Sequence, residues 1–593
     1  MNISKLLLLL NGKTAEDFPE VTAKATFRLG RGETASDNLT FRMNVTAPIG
    51  SRLTVNYGDC RTQRDHSVLY PDQTYESDGL PIEISANFYL SGLTDVTISG
   101  SAVKLMTSLS SSFNCSIWSI PVSEGLWDRN ESLKEIIYSQ QIYSGDFSPD
   151  WSILPNLTTL NLYSCDLRSF SEGSVSESLE RLSLSENVLT SVIISGWPSL
   201  TSADISNQYA SGSTLYGKGS LRVIGNPKLK WLTTKNGSNS NYSNLFGDAV
   251  VSGNQSLEGL SMSYFHMLSA VTVSDCPALE SAYFYYVGDS LHTKGDCLVK
   301  ADMGGLSGLR SLKVDYCGNP YGFLPPPSSS QSLTGVSFYE DLTRIPGHIA
   351  PDIELSYYPS LVSAYFAAVR CCRKIRCLNS RKLSKLEISS TSFLKEVQLE
   401  NCSSLNNVQC SSDNASSDAL NSIVLKNNRK LGTLNISKAK LSDRLLLTGC
   451  PLLYSITVRS TSYRGDLVIG GLSGNNYVTV NVSDNRYMKS FTLSGCPKVS
   501  TVDARDCPSL ERFTFNDNLS TDTSVYLADD TSLTYVDMKR QGMASRRLTN
   551  LIENFEPSAP FGGVMDFTEN LNGYAPSQAS IDRMTAKGWT VLV

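Results

Sequence analysis

The feature that most constrains this chain is an eleven-residue spacing of apolar side chains in its C-terminal third. Met488, Val499 and Leu510 are eleven residues apart, and each is followed by two further apolar residues, three and five positions later. The later two are separated by one residue, which predicts a short strand with one buried face. Each unit then ends on Cys or Asn. Repetition at a short fixed period predicts a solenoid, in which each coil stacks on its neighbours.

The same pattern recurs through most of the chain. Residues 157–167 read L-x-x-L-x-L-x-x-C-x-L, and residues 179–189 repeat this string with Asn in place of Cys. The string is that of a leucine-rich repeat. We therefore predict a solenoid over residues 126–540, whose coils each contain two eleven-residue halves with a strand or an extended segment in each. The Asn at the corner is expected to bond backbone groups of a neighbouring coil, and the Cys to fill the same corner as a small apolar group.

Loops rich in Gly, Ser, Asn and Pro interrupt the repeat. Insertions of this kind usually emerge on one side of a solenoid, often the side that binds a ligand. The frame is broken at 208–220, 235–255, 285–305, 317–331 and 459–476.

Composition narrows the possible functions. Only 18% of the 593 residues are charged and the net charge is −6, so a nucleic-acid partner is not expected. Many of the 14 cysteines stand at the corner of the repeat, which favours buried thiols over a disulfide framework. The four histidines are scattered without metal-ligand spacing. We expect no metal and no cofactor.

The N-terminus shows no recognisable export signal. Its leucine run, residues 6–10, is shorter than the roughly 7–15 apolar residues of a secretory signal. No segment approaches the length of about 20 apolar residues that spans a membrane. A repeat typical of surface proteins then implies another route to the outside, and release by lysis within a virus particle is one such route.

Residues 1–125 lack the repeat and are predicted to form a small β-sandwich. The segment 55–60 reads VNYGDC and is followed by Q-T-Y at 73–75, which resembles the immunoglobulin-like PKD fold, with its W-G-D-G turn and H-x-Y segment. Tyr57 replaces the Trp of that family, Cys60 the second Gly, and Gln73 the His. The resemblance implies that Asp59 bonds the amides of its own turn, with a calcium ligand as the alternative.

After residue 540 the period changes. The pattern predicts helices at 544–555 and 577–587 and strands at 563–567 and 589–593, a small α/β cap on the solenoid. The segment A-K-G-W-T-V at 586–591 resembles the C-terminal end of leucine-rich-repeat proteins of Bacteroidetes and their phages. Together with the eleven-residue C-P-x-L units, this resemblance covers roughly residues 130–593. It implies a mainly β leucine-rich-repeat protein.

The resemblance and the missing signal together favour a non-enzymatic structural or attachment protein of a Bacteroidetes phage, of tail or fibre type. Its expected partners are other virion proteins, held through residues 1–125, and a host surface protein or glycan bound by the solenoid. No nucleic acid and no membrane span are expected, and a homo-oligomer is left open. The alternatives are a bacterial cell-surface adhesin and a glycan-degrading tail protein.

Two groups of residues are candidates for binding. Tyrosines and amides on the outward face of the strands suit stacking on sugar rings or packing against a protein, although tyrosine also favours β-surfaces for structural reasons alone. A dense basic run is predicted to be a loop that docks on an acidic neighbour. The outward candidates are Tyr283, Tyr285, Tyr357, Tyr365, Gln398 and Gln409, and the basic ones are Arg370, Arg373, Lys374 and Arg376.

No catalytic residue is predicted. A glycan-cleaving solenoid needs paired carboxylates on an exposed face. Asp503 and Asp537 stand at outward positions, but the sequence shows no acidic partner one coil away from either.

Overall fold

The computed structural model describes most of the chain. The described residues are 23–30, 39–64, 67–90, 94–113, 116–117, 128–139, 146–147, 151–171, 176–208, 219–235, 246–266, 268–288, 300–317, 320–339, 352–367, 372–389, 394–411, 420–437, 444–459, 461, 466–470, 472 and 477–593. They form two compact units. Unit 1 contains residues 1–309 and 317–325, and unit 2 contains residues 310–316 and 326–593. No helix among the described residues is long and apolar enough to cross a membrane.

Unit 1 begins with two antiparallel sheets, ordered β4-β3-β6-β1-β8 and β5-β2-β7. Apolar and polar residues alternate along their strands, and the rings of Phe27 and Phe41, one from each sheet, meet edge to face at 6.4 Å. The predicted β structure is present, and the β-sandwich and PKD-like interpretations stay predictions. The elements are β1 Ala23–Gly30, β2 Leu39–Thr46, β3 Arg52–Asn56, β4 Gln73–Glu76, β5 Ile82–Phe88, β6 Thr94–Gly100, α1 Ser101–Leu105, β7 Ser108–Phe113 and β8 Ser116–Ile117.

The turn after β3 differs from the expectation for Asp59. The amide of Gly58 donates to the side chain of Asn56 at 2.9 Å, while the Asp59 carboxylate lies 3.7 Å from the Arg61 guanidinium. Asn56 therefore supplies the bond to the turn's backbone. Tyr57 is fully buried and its hydroxyl donates to Gln73 at 2.8 Å, so two residues that depart from the PKD pattern bond each other.

The solenoid of unit 1 has two parallel sheets, one for each half of the coil. From β9 to β22, the odd-numbered strands belong to the front sheet of unit 1 and the even-numbered strands form its back sheet. Adjacent coils pair in register, and Thr159 of β11 lies opposite Arg181 of β13, 22 residues later. The strands are β9 Glu135–Ser139, β10 Asp146–Phe147, β11 Thr159–Tyr163, β12 Ser169–Phe170, β13 Arg181–Ser183, β14 Ser191–Ser195, β15 Ser202–Asp204, β16 Gly219–Ile224, β17 Trp231–Lys235, β18 Phe246–Ser252, β19 Gly259–Phe265, β20 Ala270–Ser274, β21 Ser281–Val287 and β22 Lys300–Gly304.

The predicted coil of two strand-bearing halves is thus confirmed. The interruptions differ from prediction, because the strands Phe246–Ser252, Lys300–Gly304 and Asp466–Gly470 lie inside the segments 235–255, 285–305 and 459–476 that were expected to leave the frame. These insertions fall between the halves of a coil and do not replace a strand.

The front sheet of unit 1 continues into the N-terminal strands. Strand β7 pairs in parallel with β9, so that Leu109 lies opposite Ile136. The front sheet therefore runs from β5 through β2, β7 and β9 to β21 without a break in pairing.

Unit 2 repeats the same architecture. Its front sheet is β23-β24-β26-β28-β30-β32-β34-β36-β38-β40, and its back strands form the sheets β25-β27-β29-β31-β33 and β35-β37-β39-β41-β42-β43. The strands are β23 Ser311–Asp315, β24 Gly335–Tyr339, β25 Asp352–Glu354, β26 Ser363–Ala367, β27 Lys374–Leu378, β28 Lys385–Ser389, β29 Glu396–Glu400, β30 Asn407–Ser411, β31 Ser422–Lys426, β32 Thr433–Ser437, β33 Arg444–Thr448, β34 Ser455–Arg459, β35 Asp466–Gly470, β36 Val478–Asn481, β37 Ser490–Ser494, β38 Val499–Asp503, β39 Arg512–Asn516, β40 Ser524–Tyr526, β41 Tyr535–Asp537, β42 Gly563–Asp566 and β43 Trp589–Leu592.

Two helices lie among the last strands, where the sequence pattern places them: α2 Ser545–Phe555 and α3 Gln578–Ala586. Trp589 anchors this segment. It is 2% exposed, packs edge-on against Phe555 at 5.5 Å, and donates from its indole nitrogen to the carbonyl of Pro560 at 2.8 Å. Gly588, at φ 79°, supplies the left-handed residue that ends α3 before the Trp.

Buried side chains at the corners join successive coils. The side-chain oxygen of Asn187 accepts from the amides of Cys165 and Leu167, at 2.9 and 3.1 Å, and its NH2 group donates to the carbonyls of Leu162 and Leu184. A parallel ladder leaves backbone groups unpaired where the strand ends, and burial of such groups is costly unless they are bonded. One amide side chain therefore provides hydrogen-bond partners for backbone groups of both coils at the turn.

Cysteine supplies the donor half of this arrangement. The thiol of Cys165 donates to the carbonyl of Tyr138 at 3.7 Å, and that of Cys507 to the carbonyl of Val482 at 3.3 Å, in each case one coil back. Every described cysteine is buried as a thiol. Burial raises the pKa of the Cys496 thiol to about 11, so it stays protonated and able to donate. The predicted placement of Cys at the same buried corner as Asn is confirmed, and its thiol also makes a hydrogen bond that was not predicted.

Asp530 occupies a corner where other coils carry Asn or Cys. It is fully buried, and one carboxyl oxygen accepts from the amide of Cys507 at 2.8 Å, as Asn187 does for Cys165. The other oxygen has no hydrogen-bond partner in the described structure. Burial, with the charges of Asp506 and Asp529, raises the pKa of Asp530 to about 8, against a bond from Cys507 that lowers it. A protonated carboxyl group has one acceptor oxygen and one donor O–H group, so protonated Asp530 resembles the Asn amide of other corners.

We expect Asn187→Ala to lower the free energy of unfolding by about 2–4 kcal/mol, because several buried backbone groups lose their partners at once. Asn435→Ala, at an exposed outward position, is the matched control and should change it by less than about 0.5 kcal/mol. Urea unfolding followed by circular dichroism measures both. Equal effects of the two substitutions would contradict the corner role of Asn187.

We expect Asp530→Asn to stabilise the protein increasingly as pH rises. Between about pH 4 and 8 the unfolded chain has released a proton that folded Asp530 still holds, so the stability of the natural protein falls through that window. The Asn variant has no such proton. Urea midpoints from pH 5 to 9 should therefore diverge, and parallel curves for the two proteins would show that Asp530 does not titrate in this way.

Candidate binding faces

The outward side chains of the front sheet of unit 1 are mostly small and polar. The residue between the two buried apolar positions of each strand points outward, and in-register pairing aligns these residues in one row across the strands. The row offers hydroxyl, amide and carboxylate groups and ends at a tyrosine. From β9 to β21 it contains Ile137, Asn161, Ser183, Asp204, Thr233, Ser261 and Tyr283.

An aromatic cluster lies at the end of this row. Tyr264 and Tyr286 stack with their ring centroids 5.4 Å apart and their planes 12° apart, and Tyr285 meets both edge to face, at 5.2 and 4.6 Å. Tyr283 lies 5.8 Å from Tyr285, and His266 lies 6.0 Å from both stacked rings. All five side chains are partly exposed. We call these five residues the aromatic cluster.

Two residues of the aromatic cluster have an unfavourable backbone conformation. In this solenoid the residue directly before a corner residue often has a left-handed backbone conformation. Most such positions are occupied by Gly, Asn or Asp, as at Gly253 and Asp275. Tyr264 and Tyr286 occupy that position with φ of 60° and 52°. A left-handed conformation costs a residue with a Cβ about 1–2 kcal/mol. Strain of this kind concentrates at functional sites.

Tyr283 and Tyr285 lie on the same strand, β21, and their rings are neighbours. The structure adds three further neighbours that were not recognised from the sequence pattern used above. The signal for Tyr264 and Tyr286 was present in the repeat frame, because each directly precedes a corner residue. A tyrosine at a position that most coils fill with Gly, Asn or Asp is the anomaly that would have identified them, and Tyr316 and Tyr357 share it.

The outward candidates of unit 2 do not all lie on one sheet. Tyr365 lies opposite Glu387 and Glu387 opposite Gln409, all on the front sheet. Gln398 lies on β29 of a back sheet, opposite Arg376, and donates to Glu400 at 2.8 Å. The reason is geometric: a step of eleven residues moves to the other half of the coil, and only a full coil, which is 22 residues long at β26 and β28, returns to the same sheet.

Tyr357 lies on neither sheet. It is the left-handed residue before the buried corner residue Tyr358, with φ of 66°, and its side chain is 63% exposed. It is therefore a further tyrosine in the position held by Tyr264 and Tyr286.

The basic run is largely neutralised within the chain. Arg370 lies outside the described residues. Lys374 and Arg376 belong to strand β27 and not to a loop, and they pair with Glu396 at 2.9 Å and Glu354 at 3.6 Å. Arg373 lies 3.6 Å from Asp352. The acidic neighbours of the run are thus on the adjacent strands β25 and β29, and an external acidic partner stays a prediction.

The carboxylates on the strands are engaged in structural contacts. Asp503 pairs with Arg505 at 2.7 Å. Asp537 has an acidic neighbour one strand away, Asp566, which the sequence analysis missed because the C-terminal strands leave the repeat frame. Burial acts to raise the pKa of Asp566, but bonds from Thr568 and Lys539 outweigh it and the pKa is lowered. Glycosidases need one carboxyl with a raised pKa as the acid.

The described residues contain no cluster of His, Cys, Asp and Glu suited to a metal ion.

No protein-family profile matches the chain, and no curated protein matches it. Among solved structures the chain is similar to the functional domain of InlJ from Listeria monocytogenes, described as including a cysteine ladder, with 14% identity over 79% of this chain and 76% of that one, and a TM-score of 0.22. It is also similar to the plant peptide hormone receptor RGFR1 in complex with RGF2, with 11% identity over 80% of this chain and 98% of that one, and a TM-score of 0.15.

We expect Tyr264→Asn and Tyr286→Asn to change the free energy of unfolding by less than about 1 kcal/mol each. Asn tolerates the left-handed conformation, and this gain offsets the loss of aromatic contacts worth about 0.5–1.5 kcal/mol. Tyr264→Val should cost about 2 kcal/mol or more, because a β-branched residue is poorly accommodated there. Glu186→Asn, at the equivalent position of another coil with φ of 55°, is the control. A loss above about 3 kcal/mol for the Asn variants would make these tyrosines structural.

Proposed function

We propose that this protein is a non-enzymatic interaction protein, whose solenoid binds a protein or glycan through the aromatic cluster and the polar row beside it. The observation that carries the proposal is the left-handed conformation of Tyr264 and Tyr286. Their backbones would be more stable as Gly or Asn, so the phenol rings are retained for what they contact. Stacked, partly exposed tyrosines beside hydroxyl and amide groups suit both sugar rings and protein surfaces.

The polar row adds hydrogen-bonding groups to the aromatic surface. Ser261 lies opposite Tyr283 on the adjacent strand β19, and Thr233 lies opposite Ser261 on β17. Aromatic faces provide contact area, while hydroxyl groups can donate and accept and so adapt to different polar partners. The combination favours recognition over catalysis, and we propose no enzymatic activity.

As the biological setting we propose the particle of a Bacteroidetes phage, with residues 1–125 as the anchor to other virion proteins and the solenoid as the attachment surface. The sequence resemblance of residues 586–591 to leucine-rich-repeat proteins of Bacteroidetes and their phages supports this setting. A bacterial cell-surface adhesin is the alternative that the same resemblance supports. A glycan-degrading protein is less favoured, since Asp503 and Asp566 are held by Arg505 and Lys539.

The binding role is tested with the double variant Tyr264→Asn/Tyr286→Asn. Fluorescently labelled full-length protein is applied to a glycan array and to a panel of Bacteroidetes cells. We expect the variant to lose at least tenfold in apparent affinity, while Glu186→Asn binds like the natural protein. Unchanged binding of the double variant to every target would refute the role of the aromatic cluster.

The biological setting is tested by immunogold electron microscopy, with antibody raised against the full-length chain. Label on phage particles, above all on the tail, is the expected result. Label confined to the surface of bacterial cells would instead establish the adhesin and exclude the virion setting.

A further inference from the structure

A second candidate site lies at the other end of the front sheet of unit 1. A cavity of about 450 Å³ opens on the outward face of β5, β2, β7 and β9, where the N-terminal strands join the first strand of the solenoid. Small-molecule sites generally measure about 300–1,000 Å³. The cavity is lined mainly by polar side chains, among them Arg42, Asn44, Glu83, Ser85, Ser110 and Ile137.

The register of the strands places these groups side by side. Asn44 lies opposite Glu83 on one side and Ser110 on the other, and Ser110 lies opposite Ile137 of the solenoid. Arg42 lies opposite Ser85. The floor of the cavity is thus formed by rigid, paired strands, which hold binding groups more precisely than loops do.

The charged and amide side chains of the cavity are not used to stabilise the fold. The side chains of Arg42, Asn44 and Glu83 make no hydrogen bond or ion pair in the described part of the chain. Other outward charges on the sheets do pair across strands, as Arg222 does with Asp248 at 3.1 Å and Lys374 with Glu396 at 2.9 Å. Arg42 and Glu83, on adjacent strands, are of opposite charge and yet do not pair. They remain available to a ligand that contacts both.

We propose that this cavity binds an acidic sugar, a single saccharide unit that carries one carboxylate. The planar guanidinium of Arg42 matches a carboxylate with two parallel N–H donors. Glu83 accepts from sugar hydroxyls, and Asn44 and Ser110 both donate and accept. Ile137 gives an apolar surface for the C–H face of the ring. Glu83 repels polyphosphates and nucleic acids, so a ligand with one anionic group and several hydroxyls fits best.

The proposal is independent of the aromatic cluster, which lies on β19 and β21 of the same sheet. Isothermal titration calorimetry of the full-length protein uses four probes: sodium glucuronate, sodium N-acetylneuraminate, glucose and sodium acetate. We expect one of the two acidic sugars to bind at least tenfold more tightly than glucose and acetate. Arg42→Met should weaken that binding at least tenfold, and Ser85→Tyr, which fills the cavity, should abolish it.

Arg181→Met is the matched control, an exposed arginine on β13 of the same sheet, and it should bind like the natural protein. Circular dichroism checks that each variant is folded, and Glu83→Gln serves as a second, nearly isosteric probe of the cavity that should weaken binding. The proposal is overturned if neither acidic sugar binds, if acetate binds as tightly as the sugar, or if Arg42→Met and Ser85→Tyr leave binding unchanged. Loss of binding in the Tyr264→Asn/Tyr286→Asn variant with no loss in Arg42→Met would assign the sugar to the aromatic cluster instead.

Discussion

The structure depends on how each coil satisfies its backbone at the corner. Strand pairing bonds the middle of every half-coil, but the chain must turn inside a dry core where free amide and carbonyl groups are costly. The side chain of Asn187 bonds both amide and carbonyl groups in two successive coils, whereas the thiol of Cys165 bonds only a carbonyl group. Because each corner bonds the next coil, the stability of any coil depends on its neighbours, as expected of a one-dimensional repeat.

Much of this fold could be predicted from the sequence, because its dominant signal is local. The spacing of Met488, Val499 and Leu510 sets the strand, the buried face and the corner within eleven residues. The end of the repeat at Met538 and the helix after Ala544 are local changes of the same kind. Predictions based on side-chain periodicity therefore agree with the structure to within a few residues.

The candidate sites could be predicted only in part, because they depend on which half-coils share a sheet. The step of eleven residues that defines the strands does not show that Gln398 and Gln409 lie on different sheets, since the strand paired with that of Gln398 is a full coil of 22 residues away. The strain at Tyr264 is a backbone property that no side-chain pattern states. The cavity at Arg42 requires the pairing of β7 with β9, which joins segments that show different sequence patterns.

The pairing of β7 with β9 also has a consequence for solubility. An uncovered first strand of a solenoid presents a row of free amide and carbonyl groups, which can recruit the edge of another chain and start aggregation. Strand β7 pairs with that edge of β9, and the other edge of β7 pairs with β2 in an antiparallel sheet. The N-terminal strands thus cover the first edge of the solenoid, and a solenoid expressed without them would be prone to associate end to end.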